Sequence, residues 1–179
     1  MTSINVGFSS SKDFIEKLKR EIWRLHEAQF DDKTDENILD HGLNAVITAW
    51  HLHEIIAKEN SLSKDNYRDG VKSRCPDLGL MHDIATQTKH FQVSSPQRRN
   101  PQDTLEMKTS VRPYIAEDEW KQRRKYMEEF GIIVIKYEYK PLPYRVLKIE
   151  GREVEEILED IRRFWERELN TFASPNSTA

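Results

Sequence analysis

Asp83, Thr86, Gln87 and His90 recur at i, i+3, i+4 and i+7 within MHDIATQTKHF, residues 81–91. A helix through this stretch therefore gathers a carboxylate, a hydroxyl, an amide and an imidazole on one face. Those groups can move protons and hold a polar ligand, and Lys89 at the edge of the face adds an ammonium suited to a phosphate. Asp83 and His90 stand two turns apart, roughly 10 Å along the axis, so any shared chemistry needs a substrate, a water or another residue between them. Met81, Ile84, Thr88 and Phe91 form a second, mostly apolar face that would dock the helix. The same polar face has a noncatalytic use as a buried hydrogen-bond network, with Lys89 and His90 complementing the helix dipole.

A second set lies upstream in WHLHE, residues 50–54. His51 and Glu54 are one turn apart, whereas His53 shares an apolar stripe with Trp50 and reads as a hydrogen-bonded core residue. Antiparallel packing of the two helices would bring His51 or His53, with Trp50, across from Asp83 or His90. Neither an HExxH spacing nor a Glu-x-x-His pair occurs in this stretch, and Cys75 is the only cysteine, so no metal site and no cofactor are assigned. Arg20 and His26 enclose five residues, a spacing shared with helical ribonucleases but expected about once by chance in a chain with this many arginines and histidines. Arg98 and Arg99, then Lys121, Arg123, Arg124 and Lys125, read as solvated basic strings.

The elements that must position these groups follow from periodicity. A first helix over residues 12–29, capped by Ser10 or Ser11, carries Phe14, Leu18, Ile22, Leu25 and Gln29 on one face. After the acidic break DDKTDEN comes a second helix over residues 35–59, with Thr34 as its cap. Leu39, Leu43, Val46, Trp50, His53 and Ala57 line one side of it, while Ala45, Leu52, Ile55 and Ile56 make the far side apolar too, which marks a central helix. Residues 60–75 read as polar and irregular, with room for one short helical turn. A third helix spans residues 76–91, with Pro76 in its first turn.

QVSSPQRRNPQDT opens a loop or partly disordered insert over residues 92–112. Beyond it the pattern predicts a short helix over 117–130 closed by Gly131, then strands IIVIKYEYK and YRVLKIE joined through PLP as a hairpin. A last helix over 153–169 buries Val154, Ile157, Leu158, Ile161, Trp165 and Leu169. The expected fold is mainly α with a small β-hairpin. Its parts are a helical core over 1–91, the insert, a helix, hairpin and closing helix over 113–172 packed on that core as one domain, and a tail over 173–179.

Bulk properties narrow the functions open to such a chain. With 179 residues there is enough for one ordinary domain, and a formal charge of -3 provides no global basic field for nonspecific DNA binding. The polar N-terminus MTSINVGFSSSKD has no signal-peptide pattern, and no run approaches the roughly 18 to 20 apolar residues that span a bilayer. A lone cysteine fits a reducing compartment, so the expectation is a cytoplasmic protein with no membrane partner.

NAVITAWHLHEII and CPDLGLMHDIATQTKHF together resemble a family of uncharacterised, mostly bacterial helical proteins with a TAWHL-type helix and a downstream D-x-A-x-x-x-K-H-F helix. The closing GREVEEILEDIRRFWERELN resembles the C-terminal helix of that family, so the resemblance covers about half the chain. More distantly, the Lys89–His90 pair on a helix is similar to the core motif of HEPN domains, which are helical and often dimeric. That resemblance implies a HEPN-like helical bundle acting on RNA or a nucleotide, as a metal-independent ribonuclease or as a component of a defence or toxin–antitoxin system. In such a protein His90 would be the acid or base, Lys89 the phosphate contact and Asp83 the orienting group. Thr86, Gln87, Trp50, His51 and His53 would then line the binding surface. Thr86 stands where the motif has asparagine. The alternative reading is a noncatalytic interaction module or homodimer whose polar faces form a buried network.

Overall fold

The long helix with two apolar sides is the axis of the molecule. In the computed structural model, which describes residues 10–30, 34–89, 107–112 and 144–173 together with Lys121 and Lys125, this helix is α2, Asp35–Glu59. Thr34 Oγ1 caps it by accepting from the Asn37 N–H at 3.4 Å. Ile38, Ala45, Val46, Ala49, Trp50, Leu52 and Ile56 are all buried, so the helix is enclosed on several sides. Loss of any large member would leave a cavity that close packing cannot refill.

Helix α1, Ser11–Phe30, lies antiparallel to α2. The Ser11 N–H donates to Glu59 at 2.7 Å, and Lys17 donates to Thr48. A later position on α1 thus meets an earlier one on α2. Ser10 caps α1 reciprocally with Asp13: the Ser10 N–H donates to Asp13 Oδ2 at 2.9 Å and the Asp13 N–H to Ser10 Oγ at 3.2 Å. This satisfies donors that a helix start otherwise leaves bare.

Residues 64–74, expected to be irregular, form an eleven-residue helix, α3, Lys64–Arg74. Its apolar content is too sparse to show a period, since Val71 is its only buried residue and Tyr67 packs partly beside it. Tertiary contacts hold it instead. The Tyr67 hydroxyl donates to Glu168 at 3.1 Å, and Arg74 pairs with the same carboxylate. Helix α4 follows, Asp77–Lys89, docked by buried Leu78, Met81, Ile84 and Ala85.

Three strands complete the described structure: β1, Met107–Arg112; β2, Tyr144–Ile149; and β3, Arg152–Glu153. They make one antiparallel sheet in the order β1-β2-β3, with Met107 opposite Ile149 and Lys148 opposite Glu153. Met107–Arg112 falls in the stretch assigned to the insert by composition, and it is strand because Thr109 and Val111 sit in an alternating pattern that pairs with β2. The expected strand 132–140, its turn, and all of the 117–130 helix except Lys121 and Lys125 lie outside the described residues. Glu150, with a φ of 50°, and Gly151, with a φ of 80°, make the turn from β2 to β3. Glycine carries the larger positive φ at no steric cost.

The last helix, α5, Val154–Ala173, closes the core. Val154, Ile157, Leu158, Ile161 and Trp165 are buried on α1 and α2, and the Trp165 indole N–H donates to the Ala49 carbonyl at 3.0 Å. The fold is mainly helical with a small antiparallel sheet and a C-terminal helix, as the sequence pattern leads one to expect. No helix among the described residues is long and apolar enough to cross a membrane.

Candidate functional site

Trp50 on α2 is held between two imidazoles. His53, one turn on, lies 4.1 Å from it between ring centroids, and His82 of α4 lies 4.7 Å away. The His53 contact follows from i, i+3 spacing on α2, and the His82 contact from the packing of α4 on α2, which Met81 and Ile84 anchor. From the last turn of α3, Lys72 places Nζ 5.7 Å from the Trp50 ring centroid and 3.3 Å from His82 Nδ1. Three helices therefore converge on one indole.

Two hydrogen-bond partners compete for His82 Nδ1. An ammonium only donates, so where His82 Nδ1 accepts from Lys72 the neutral ring carries its hydrogen on Nε2. Burial, followed by the Lys72 charge, holds its pKa below the ordinary imidazole value. The competing partner is Asp83, whose Oδ1 is 3.2 Å from the same Nδ1. A carboxylate accepts only, so that bond needs a hydrogen on Nδ1, in the protonated ring or its Nδ1–H tautomer, whereas the Lys72 bond needs the Nε2–H tautomer. In the tautomer bonded to Lys72 the ring, with 22% of its side chain exposed, offers an Nε2–H donor.

His53 has the opposite tautomer. Its Nδ1 lies 2.6 Å from the Trp50 carbonyl, which can only accept, so Nδ1 carries the hydrogen and Nε2 is a lone pair. The side chain is 1% exposed and Nε2 has no hydrogen-bond partner. Burial holds this imidazole's pKa below its usual value. Glu54 stands at the edge of this group, 4.0 Å from His53 Nε2, 3.8 Å from His51 Nδ1 and 2.9 Å from Lys64 Nζ. Burial is the largest single influence and raises the Glu54 pKa, but the Lys64 bond and charge, with His51 and His53, together draw it below the usual carboxylate value.

The residues singled out from sequence fare differently. Trp50 and His53 are buried and adjacent, with His53 in the core role its apolar stripe suggests. His51 is partly exposed beside Glu54, apart from the Trp50–His82 pair. Asp83 Oδ1 lies 3.2 Å from Nδ1 of its neighbour His82. Thr86 is partly buried on α4. Gln87 and Lys89 belong to α4, but their side chains, and all of His90, lie outside the described residues. Sequence reasoning missed Lys72 because its stretch was read as irregular, and His82 because it lies at the edge of the chosen face, beside Thr86 and Lys89. The available signal was a histidine beside buried Met81 and a lysine beside Val71, each one residue away from a helix's apolar stripe.

His26, half of the ribonuclease-like spacing with Arg20, is a structural residue. It is buried with Nδ1 3.0 Å from Glu155 Oε1 on α5, while Arg20 is exposed. Gln29 joins the same network: its Nε2 donates to Glu155 Oε2 at 2.8 Å, and its Oε1 accepts from the Leu147 N–H at 3.0 Å. On that side of β2 the strand ladder ends at Lys148, so the Gln29 amide supplies the acceptor that β3 is too short to reach.

Among the described residues, no three His, Cys, Asp or Glu side chains gather so as to hold a metal ion. Comparison with known protein families, with curated proteins and with solved structures finds no match.

Proposed function

We propose that this chain is a HEPN-like, RNA- or nucleotide-directed helical protein that grips a phosphate at the edge where α3 and α4 meet. One observation carries the reading: Lys72 donates to His82 Nδ1 at 3.3 Å, which leaves a neutral imidazole with an Nε2–H donor beside an ammonium. Two donors of that kind suit a phosphate oxygen, and Arg68 adds positive charge felt by His82. The tautomer favours holding a phosphate over abstracting a proton, because a general base needs its outward nitrogen as a lone pair. Cleavage, in this reading, falls to the Lys89–His90 pair that resembles the HEPN motif.

The test uses one labelled single-stranded RNA and total RNA. Lys72→Met is expected to weaken binding of the labelled RNA and to reduce the salt dependence by about one charge, since a single phosphate contact is lost. Wild type should cleave total RNA and the Lys89→Ala, His90→Ala double variant should not. Binding without cleavage would make the protein a noncatalytic RNA partner, and no binding by wild type would reject the proposal.

The second reading, a noncatalytic interaction module, is favoured by the His26–Glu155–Gln29 network, which commits three polar side chains to joining α1, α5 and β2. It expects no RNA response at all.

A further inference from the structure

Glu54 sits between claimants on different helices, with His51 Nδ1 on α2 also 3.8 Å from its Oε1. Its Oε1 is 2.9 Å from Lys64 Nζ, at the first position of α3, and 4.0 Å from the buried Nε2 of His53 on α2. The Trp50 carbonyl fixes the His53 tautomer, so this Nε2 is a lone pair with no partner. A lone pair and a carboxylate oxygen are both acceptors, so they cannot bond to each other. With no proton between them the two acceptors stand 4.0 Å apart.

A metal ion fits this gap poorly. With nitrogen and oxygen each about 2.1 Å from the ion, the two ligands of a tetrahedral site would stand roughly 3.4 Å apart. A proton fits it well. Protonated Nε2 becomes a charged donor, and a bond of about 2.8 Å needs Glu54, whose side chain is partly exposed, to shift by roughly 1 Å.

We propose that His53, Glu54 and Lys64 form a proton-operated latch in which Glu54 holds the start of α3 to α2 while His53 is neutral, and turns to His53 when His53 takes up a proton. The proton comes from solvent and adds to the Nε2 lone pair. Nδ1–H keeps its bond to the Trp50 carbonyl, Nε2–H donates to Glu54, and the Lys64 ammonium passes to water. The other charged groups around His53 act in known directions. His51 on α2 and Lys64 on α3 oppose its protonation and Glu54 favours it, while α4 presents His82 through the Trp50 ring. Burial keeps the neutral form dominant at neutral pH, so the latch is closed there. The inference is independent of any phosphate site, although α3 also carries Lys72.

Exposed lysine–carboxylate pairs are weak, so opening should be modest: a loss of about two- to fivefold in amide protection over the first turns of α3. Hydrogen exchange, corrected for intrinsic rates, is compared between about pH 7.5 and about pH 5.5, a range that brackets ordinary imidazole titration. Wild type should show that loss. His53→Phe should keep the neutral-pH protection at both values, and Glu54→Gln, a change at a partly exposed position, should show the reduced protection at both. Should His53→Phe fail to fold, Glu54→Gln decides alone. An undiminished wild-type α3 at about pH 5.5, or a pH-dependent loss that persists in Glu54→Gln, overturns the latch. RNA binding plays no part in the readout, so its failure and that of the phosphate site are distinguishable.

Discussion

His26 Nδ1 lies 3.0 Å from Glu155 Oε1, and the other oxygen of the same carboxylate accepts from Gln29 at 2.8 Å. One carboxylate from the first turn of α5 thereby satisfies two buried groups of α1, and Gln29 passes the connection to the backbone of β2. Removing the acceptor strands both partners in a buried setting, which costs more than forming the bonds gained. Glu155→Ala should lower unfolding stability by about 2–4 kcal/mol, read from urea titration, with any RNA response unchanged. A loss below about 0.5 kcal/mol would show that the network is dispensable.

Gly42 lies where α2 closely approaches the sheet. A Cβ there would stand 2.2 Å from Leu147 Cδ2 and 3.3 Å from the Met107 methyl. Leu147 is buried and packed against the core, so it has little room to yield. Alanine favours a helix over glycine by up to about 1 kcal/mol, but overpacking costs about 1–3 kcal/mol, so Gly42→Ala should destabilise. Shortening the opposing side chain removes the clash. The double variant Gly42→Ala with Leu147→Val should therefore recover part of the loss, and strict additivity in thermal melts would count against this account.

Much of this architecture can be read from periodicity, and the exceptions have physical causes. The span and cap of α2 follow from its apolar period and Thr34, and the buried face of α5 from Val154, Ile157, Leu158, Ile161 and Trp165. Helix α3 was hidden because only Val71 is buried and its docking rests on Tyr67 and Arg74 reaching Glu168. Strand β1 was hidden because its partner lies 32 positions on at the nearest paired residues, Arg112 and Tyr144 being joined through a long connection, and pairing of that kind leaves no local trace. At the candidate site, the face chosen by helical spacing contained Asp83, while the contact that organises the site runs between Trp50 and His82 on different helices. Spacing along one helix reveals which residues share a face, but it does not reveal which face of another helix they meet.

Lys72 is one of the causes that lower the His82 pKa, second to burial. Lys72→Met keeps much of the side chain's length and removes the charge, so the His82 titration midpoint should rise while burial still opposes protonation. Imidazole carbon–proton NMR resonances followed against pH give the midpoint directly. A midpoint that stays fixed or falls would mean that the ammonium does not act on the ring, and with it would go the argument for an Nε2–H donor.

His53 and His82 both have folded pKa values below the ordinary imidazole value near 6.5, chiefly through burial. Below about pH 6.5 the unfolded chain binds protons that the folded chain resists, so unfolding becomes easier as pH falls. Their contribution to stability is complete above about pH 6.5 and is lost as pH drops through the lower folded values. Glu54, whose pKa is lowered by Lys64, contributes in the same direction but over a more acidic window, below about 4.5. Urea midpoints should therefore decline from about pH 7.5 to about pH 5, and His53→Phe should flatten that decline, since it removes the more buried of the two imidazoles. A His53→Phe variant with the wild-type pH slope would place the acid sensitivity elsewhere. Retention of the slope in that variant together with its loss in His82→Phe would assign it to the α4 imidazole alone.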